Sequence, residues 1–226
     1  MRKISEEELK NILKDHETWL QTNKKDGKRA CLSYVDLSEA DLSNVNLSEA
    51  NLRYADLRCT NLSHADLSGA DLYNANLFNA DLSGADLYRA SLFSVNLEYA
   101  NLAEAYLSYA NLYKANLTNA NLDHANLYTA NLKYSNLSNI NLTNADLYLA
   151  NLEQAKLPKQ IIQIGPIGSR KAYTIINLDD DIIYCGCWKG NSKEFKDRID
   201  EVYPDDSVYR TQYLAVLQLI ETLKTK

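Results

Sequence analysis

Leucine occupies every fifth position from Leu32 through Leu157, giving 26 consecutive units without an insertion. A period of five suits neither regular element. At about 100° per residue a helix would scatter these leucines around its axis, and a straight strand would alternate their faces. The chain therefore has to turn once per unit, and four such bends would close one coil. Two residues before each leucine stands alanine in 20 of the 26 units; the departures are Val35, Val45, Thr60, Val95, Ser135 and Ile140. All are compact or apolar, so this site is small and dry. The residue between the two is Asp or Asn in 22 units, the exceptions being Cys31, Ser91, Tyr106 and Lys156. In such a coil leucine fills the centre and alanine leaves room where backbone approaches itself. The intervening Asp or Asn points outward and hydrogen-bonds backbone near a turn. Burying each leucine contributes roughly 1.5–3 kcal/mol gross, against an ordering entropy of similar total size.

The motif A-(D/N)-L-x-x stands unaltered in Ala40-Asp41-Leu42, Ala70-Asp71-Leu72 and Ala130-Asn131-Leu132. In these units the sequence resembles the pentapeptide-repeat family, over residues 30–158. The resemblance implies a mainly β fold, a right-handed quadrilateral β-helix with four repeats per coil. At that ratio the 26 units make about six and a half coils.

A solenoid exposes core and unpaired backbone at its ends, so caps are expected. In residues 1–29, Ser5-Glu6-Glu7-Glu8 reads as a capping box, and Leu9, Ile12, Leu13, Trp19 and Leu20 recur at helical spacing. This predicts a helix over roughly residues 5–21, covering the first coil. The period of five stops after Leu157. Residues 159–226 read as a separate small α+β domain, with a turn at Gly165-Pro166-Ile167-Gly168. A hairpin follows, of Tyr173 to Leu178 and Ile182 to Trp188 around Asp179-Asp180-Asp181. Two helices complete it, one carrying Phe195, Ile199 and Val202 and the other Tyr209, Tyr213, Leu217 and Ile220. Similar tails on bacterial and phage proteins of the family inform architecture only.

Charge narrows the partners. Residues 30–158 hold 14 acidic against 6 basic side chains, which argues against direct nucleic-acid binding, since such surfaces cluster cations. The four cysteines lack a disulfide-framework spacing, no apolar run approaches a membrane span, and the N-terminus turns acidic where a signal peptide needs an apolar stretch. These features predict a cytoplasmic protein that enters no membrane.

Candidates for chemistry are few. His64 and His124 share an outward column, but three coils place them about 14 Å apart, too far for one ion. Glu104, one coil from His124, suits a hydrogen bond or ion pair. Cys185-Gly186-Cys187 puts two thiols on one side of a predicted strand without the second pair that a closed zinc site needs. The segment from Gly165 to Arg170 lacks the spacing of a phosphate loop. The sequence predicts no catalytic residues, no metal, no cofactor and no enzyme.

What varies is the outside. Stacking at 20 residues aligns Arg53, Tyr73, Phe93, Tyr113 and Lys133 in one column, and Tyr88, Tyr128 and Tyr148 on the preceding side. Stacked rings support neighbouring coils, and exposed aromatics also suit a protein interface. Acidic pairs form as well: Asp36 stacks on Asp56 and Asp66 on Asp86. The leading expectation is a non-catalytic protein-binding or scaffold protein. The resemblance also implies an alternative, because some members of the family imitate duplex DNA with an acidic rod and occupy the DNA site of gyrase. This chain has no loop interrupting its repeats and carries a 68-residue tail instead of a short hydrophobic dimerising helix. A third expectation makes the C-terminal domain a small ligand-binding or catalytic module.

Overall fold

A computed structural model describes residues 1–167, 172–186, 188–205 and 207–224. The chain divides into two compact units, Met1–Asp146 with Ala150–Lys156, and Leu147–Leu149 with Leu157–Lys226.

In the first unit, residues 20 apart pair in parallel, as Asp36 with Asp56 and Asp56 with Asn76, up to Asn136 with Lys156. One coil is therefore four five-residue units. The Leu52 N–H donates to the Asp71 carbonyl at 2.8 Å and the Asp71 N–H to the Ala50 carbonyl at 2.9 Å, a pattern repeated up the stack. Coil to coil, each unit contributes a single bridged residue. The bend inside every unit leaves no length for a longer strand.

The bend has one backbone signature. The second residue after each leucine, at every fifth position from 34 to 154, has a positive φ, and only Gly69 and Gly84 among them are glycine. This left-handed conformation costs an L-residue about 1–2 kcal/mol. It is held by local bonds: the Ala55 N–H donates to the Leu52 carbonyl at 3.1 Å. The carboxylate of Asp36 accepts from the Ser38 N–H at 3.1 Å and that of Asp86 from the Tyr88 N–H at 2.8 Å. The outward Asp and Asn residues thus fasten the turns that follow them.

All 25 leucines from Leu32 through Leu152 are at most 3% exposed. Leu157 is half-buried. The polar departures at the alanine site keep it dry through internal bonds. The Thr60 hydroxyl donates to the Leu37 carbonyl at 2.9 Å and the Ser135 hydroxyl to the Leu132 carbonyl at 2.6 Å.

At the N-terminus β1 (Arg2–Lys3) pairs in parallel with β2 (Val35–Asp36). Helix α1 (Glu6–Gln21) starts at Ser5, whose hydroxyl oxygen accepts from the Glu8 N–H at 3.1 Å. The Glu8 carboxylate does not return that bond to Ser5; it takes the Arg2 guanidinium at 2.6 Å. The expected apolar stripe is only half-buried, and the one fully buried residue of α1 is His16. Its Nδ1 accepts from the Ala30 N–H at 3.1 Å. Gly27, with φ +74°, lets the chain pass close to the helix, because a Cβ there would lie 2.3 Å from the Asp15 carbonyl oxygen.

The second unit is an antiparallel meander of β3 (Ile161–Ile167), β4 (Ala172–Asn177), β5 (Ile182–Cys185) and β6 (Trp188–Gly190), followed by α2 (Ser192–Val202) and α3 (Val208–Lys224). β3 runs through Ile167, past the expected turn at Gly165, with a register shift between Ile164 and Ile167. Gly168, the last residue of that expected turn, lies outside the described residues. The β4–β5 hairpin pairs Asn177 with Ile182. Asn191 and Glu194 form a reciprocal capping box on α2. The core gathers Ile176, Ile183, Phe195, Ile199, Tyr213, Val216, Leu217 and Ile220. Val202 and Tyr209, expected on that apolar face, are 41% and 39% exposed. Tyr203, at the end of α2, packs on Tyr213 at 5.2 Å in their stead. No helix among the described residues is long and apolar enough to cross a membrane.

Candidate functional site

The two residues after each leucine form the corners of the coil; two adjacent corners collect most of the aromatic rings, and a third pairs Phe78 with Tyr99 edge-on at 5.6 Å. Along the first, Tyr73, Phe93 and Tyr113 stack nearly parallel at 5.3 and 5.1 Å. The stack extends beyond the expected column. Tyr34 stacks on Tyr54 at 4.7 Å, Tyr54 meets Tyr73 edge-on at 5.4 Å, and Tyr113 meets Tyr134 edge-on at 5.4 Å. Six rings therefore form one ladder. Strict 20-residue columns miss Tyr34, Tyr54 and Tyr134 because they occupy the second corner position while Tyr73, Phe93 and Tyr113 occupy the first. Considering both corner positions together would have found them.

The second corner departs from the expected column. Ser108 separates Tyr88 from Tyr128 in the 20-residue register, and Tyr109, from the neighbouring position, bridges them at 5.8 and 5.5 Å. Within the second unit the Tyr148 ring faces Tyr184 at 6.4 Å.

Cations sit on these rings. The Arg53 guanidinium lies 4.3 Å from the Tyr73 centroid, and Arg89 lies 5.1 Å from Tyr88 and 5.9 Å from Tyr109. Lys114 is 5.5 Å from Tyr113 and Lys133 5.3 Å from Tyr134.

The acidic pairs are adjacent across the coils, as Asp36–Asp56 and Asp66–Asp86 bridges, but their environments differ. Asp56, 6% exposed, is clamped by Arg58 through two bonds of 2.7 and 2.6 Å, and that guanidinium holds its carboxyl below the usual range. The Ser38 hydroxyl and N–H do the same for Asp36, with Lys3 3.9 Å away. Asp66 and Asp86 form no ion pair among the described residues.

Other candidates resolve into packing. The His64 ring covers Gly84, where a Cβ would fall 2.5 Å from its Nδ1. His124 meets Asn144 at 3.2 Å and Asp123 at 3.8 Å; the expected partner Glu104 is not among its contacts. Cys185 is half-buried with its sulfur 3.3 Å from the Thr174 hydroxyl, and Cys187 lies outside the described residues. Among the described residues, no three His, Cys, Asp or Glu side chains are grouped to hold a metal ion.

A stack of four-unit coils with a leucine core and variable corners defines a repeat solenoid whose outside carries its individuality. The family model for pentapeptide repeats matches residues 30–69, 55–92, 70–108, 96–133 and 125–159, and the chain belongs to that family. Among solved structures it is similar to HetL of Nostoc sp. strain PCC 7120, a pentapeptide repeat protein involved in heterocyst differentiation regulation. That match has 30% identity over 58% of this chain and 84% of the other, with a TM-score of 0.35. It is also similar to Rfr23 of Cyanothece 51142, at 39% identity over 44% of this chain and 60% of the other, TM-score 0.32. A third is full-length QnrB1, a plasmid-mediated fluoroquinolone resistance protein, at 18% identity over 55% and 84%, TM-score 0.24. No curated protein matches the chain.

Proposed function

We propose that this protein is a non-catalytic binding scaffold that presents the aromatic corners of its repeat stack to another protein. In this reading residues 30–158 form a right-handed, four-sided β-helix, residues 1–29 close its first coil through α1, and residues 159–226 are a separate module. The observation that carries it is the six-ring ladder from Tyr34 to Tyr134, whose ends are 57% and 46% exposed. Aromatic side chains with open edges and polar tips are enriched at interface cores. Tyr73, Phe93, Tyr113, Tyr88 and Tyr128 belong to the contact surface, and Tyr148 to its margin. A photo-crosslinking residue at Tyr134 or Tyr109, introduced in cells of the source organism, is expected to trap a defined protein. The same residue at Ser43, on a distant corner, is expected to trap none. No adduct at either tyrosine, or the same adducts at Ser43, would overturn the reading.

The acidic columns support an effector of DNA gyrase less well. Asp36 and Asp56 have their charge offset by Lys3 and Arg58, which leaves Asp66 and Asp86 as the open pair. A supercoiling assay with purified protein and its Asp66→Asn/Asp86→Asn variant tests this alternative; inhibition lost in the variant would establish it. The C-terminal unit has an open apolar cleft of about 300 Å³ lined by Ile164, Gln212, Ala215, Val216 and Leu219. Those five lining residues offer a ligand apolar contact and no nucleophile or acid–base group.

A further inference from the structure

Charge is segregated around the repeat stack. The two aromatic corners flank the face that carries Ser91, Asn111 and Asn131, and they hold Arg53, Arg89, Lys114 and Lys133 against Glu49 and Glu153. The other two corners hold Arg58 against Glu39, Glu98, Glu104 and Asp123. Four of the six cations of an acidic repeat region thus stand on these two corners.

Every carboxylate on the aromatic side already has a cation. Lys24 meets Glu49 at 2.6 Å, Lys133 meets Glu153 at 2.8 Å, and Arg53 meets Asp71, on the face itself, at 2.9 Å. Arg89 and Lys114 are left over. Among the described residues neither makes an ion pair; Arg89 lies over Tyr88 and Tyr109 and Lys114 over Tyr113. Asp66 and Asp86 lie around the corner on the neighbouring face and make no ion pair with Arg89. The rings add to the same field. Tyr73, Phe93 and Tyr113 spend their negative faces on one another, so the ladder turns its electropositive edges sideways.

We infer that the face between these corners, centred on Ser91 and Asn111, binds an acidic peptide segment of a partner protein, with Arg89 and Lys114 as its two charge-reading residues. The inference rests on the partner-binding reading and specifies the chemistry of the partner. A carboxylate pair finds two uncompensated cations on opposite sides of one face, and aromatic or aliphatic side chains between the carboxylates find ring edges. Single-stranded nucleic acid would also meet cations and rings. Two open cations form a short track for a phosphate backbone, however, and the stacked ring faces are closed to bases.

The test is fluorescence anisotropy on the purified full chain with labelled twelve-residue probes: alternating Glu-Tyr, alternating Lys-Tyr, and dT12. The Glu-Tyr peptide is expected to bind with an affinity that falls as salt rises. The Arg89→Glu/Lys114→Glu variant is expected to bind it about tenfold more weakly or worse. That variant keeps the fold, because Glu39, Glu49 and Glu104 already occupy the same backbone position with φ of 63°, 59° and 59°; an unchanged melting temperature verifies it. Absence of Glu-Tyr binding, equal affinity in the variant, or tighter binding of Lys-Tyr or dT12 would each overturn the inference. If crosslinking at Tyr134 traps a partner whose capture is unaltered by the charge reversal, the partner-binding reading stands and the acidic-peptide inference falls.

Discussion

Tyr54 and Tyr73 meet edge to face with ring centroids 5.4 Å apart, although 19 residues separate them in a stack whose coils repeat every 20. The ladder changes corner position at this pair and changes back at Tyr113 and Tyr134, 21 residues apart. Ring packing therefore follows proximity across two corner positions and is not bound to the backbone register.

If the ladder couples successive coils, its pairs are energetically linked. A double-mutant cycle with Tyr73→Leu and Phe93→Leu is expected to show a coupling of about 0.5–1.5 kcal/mol in denaturant unfolding. Strict additivity would mean that the rings merely coexist.

Arg58 is expected to stabilise the first coils by neutralising Asp56 beside Asp36. Arg58→Ala should lower stability in denaturant unfolding, since a largely covered carboxylate loses two charge-assisted bonds. Asp56→Asn in that background should restore most of the loss, because Asn76, Asn96, Asn116 and Asn136 fill the same column. In the parent, the Asp56 pKa is depressed, so its stabilisation is present above the unfolded pKa near 3.8 and is lost as pH falls through the lower folded value. Arg58→Ala should therefore unfold at a higher pH in acid titrations.

His16 sets a second pH dependence. Burial, the largest influence, lowers its pKa from 6.5 in the folded chain. The unfolded chain therefore binds a proton first as pH falls through about 6.5, and folding stability declines below that point. Protonated His16 would also lose the bond it accepts from the Ala30 N–H. Amide exchange in α1 is expected to accelerate from pH 7 to pH 5, and His16→Gln should flatten the dependence. The same slope in the variant would place its origin elsewhere.

Thr129 combines φ of +57° with a β-branched side chain and a buried hydroxyl that has no hydrogen-bond partner among the described residues. Thr129→Gly removes both penalties while adding chain entropy to the unfolded state. A net gain of about 0.5–1 kcal/mol is expected in thermal or denaturant melts. Destabilisation would show that the methyl group contributes packing that outweighs the strain.

The period of five determined the leucine core, the four-unit coil and the family, because only a chain that bends at every unit can bury Leu32 through Leu152 on one side. The alternation of residue types also located the hairpin at Asp179–Asp181 and both C-terminal helices. Tertiary structure decided the rest. A column of residues 20 apart says which backbones are neighbours, but a tyrosine ring reaches past its own column, so Tyr109 joins Tyr88 to Tyr128 and Tyr34 enters the ladder. Charge follows the same rule. Asp36 and Asp56 look like a bare acidic pair in the sequence until Lys3, brought alongside by β1, and Arg58, folded back onto its own turn, offset them. Arg89 and Lys114 are distinguished from the other repeat cations only by which carboxylates lie within reach. The interior repeats every five residues because backbone geometry demands it, whereas outer contacts depend on side-chain length and direction in space.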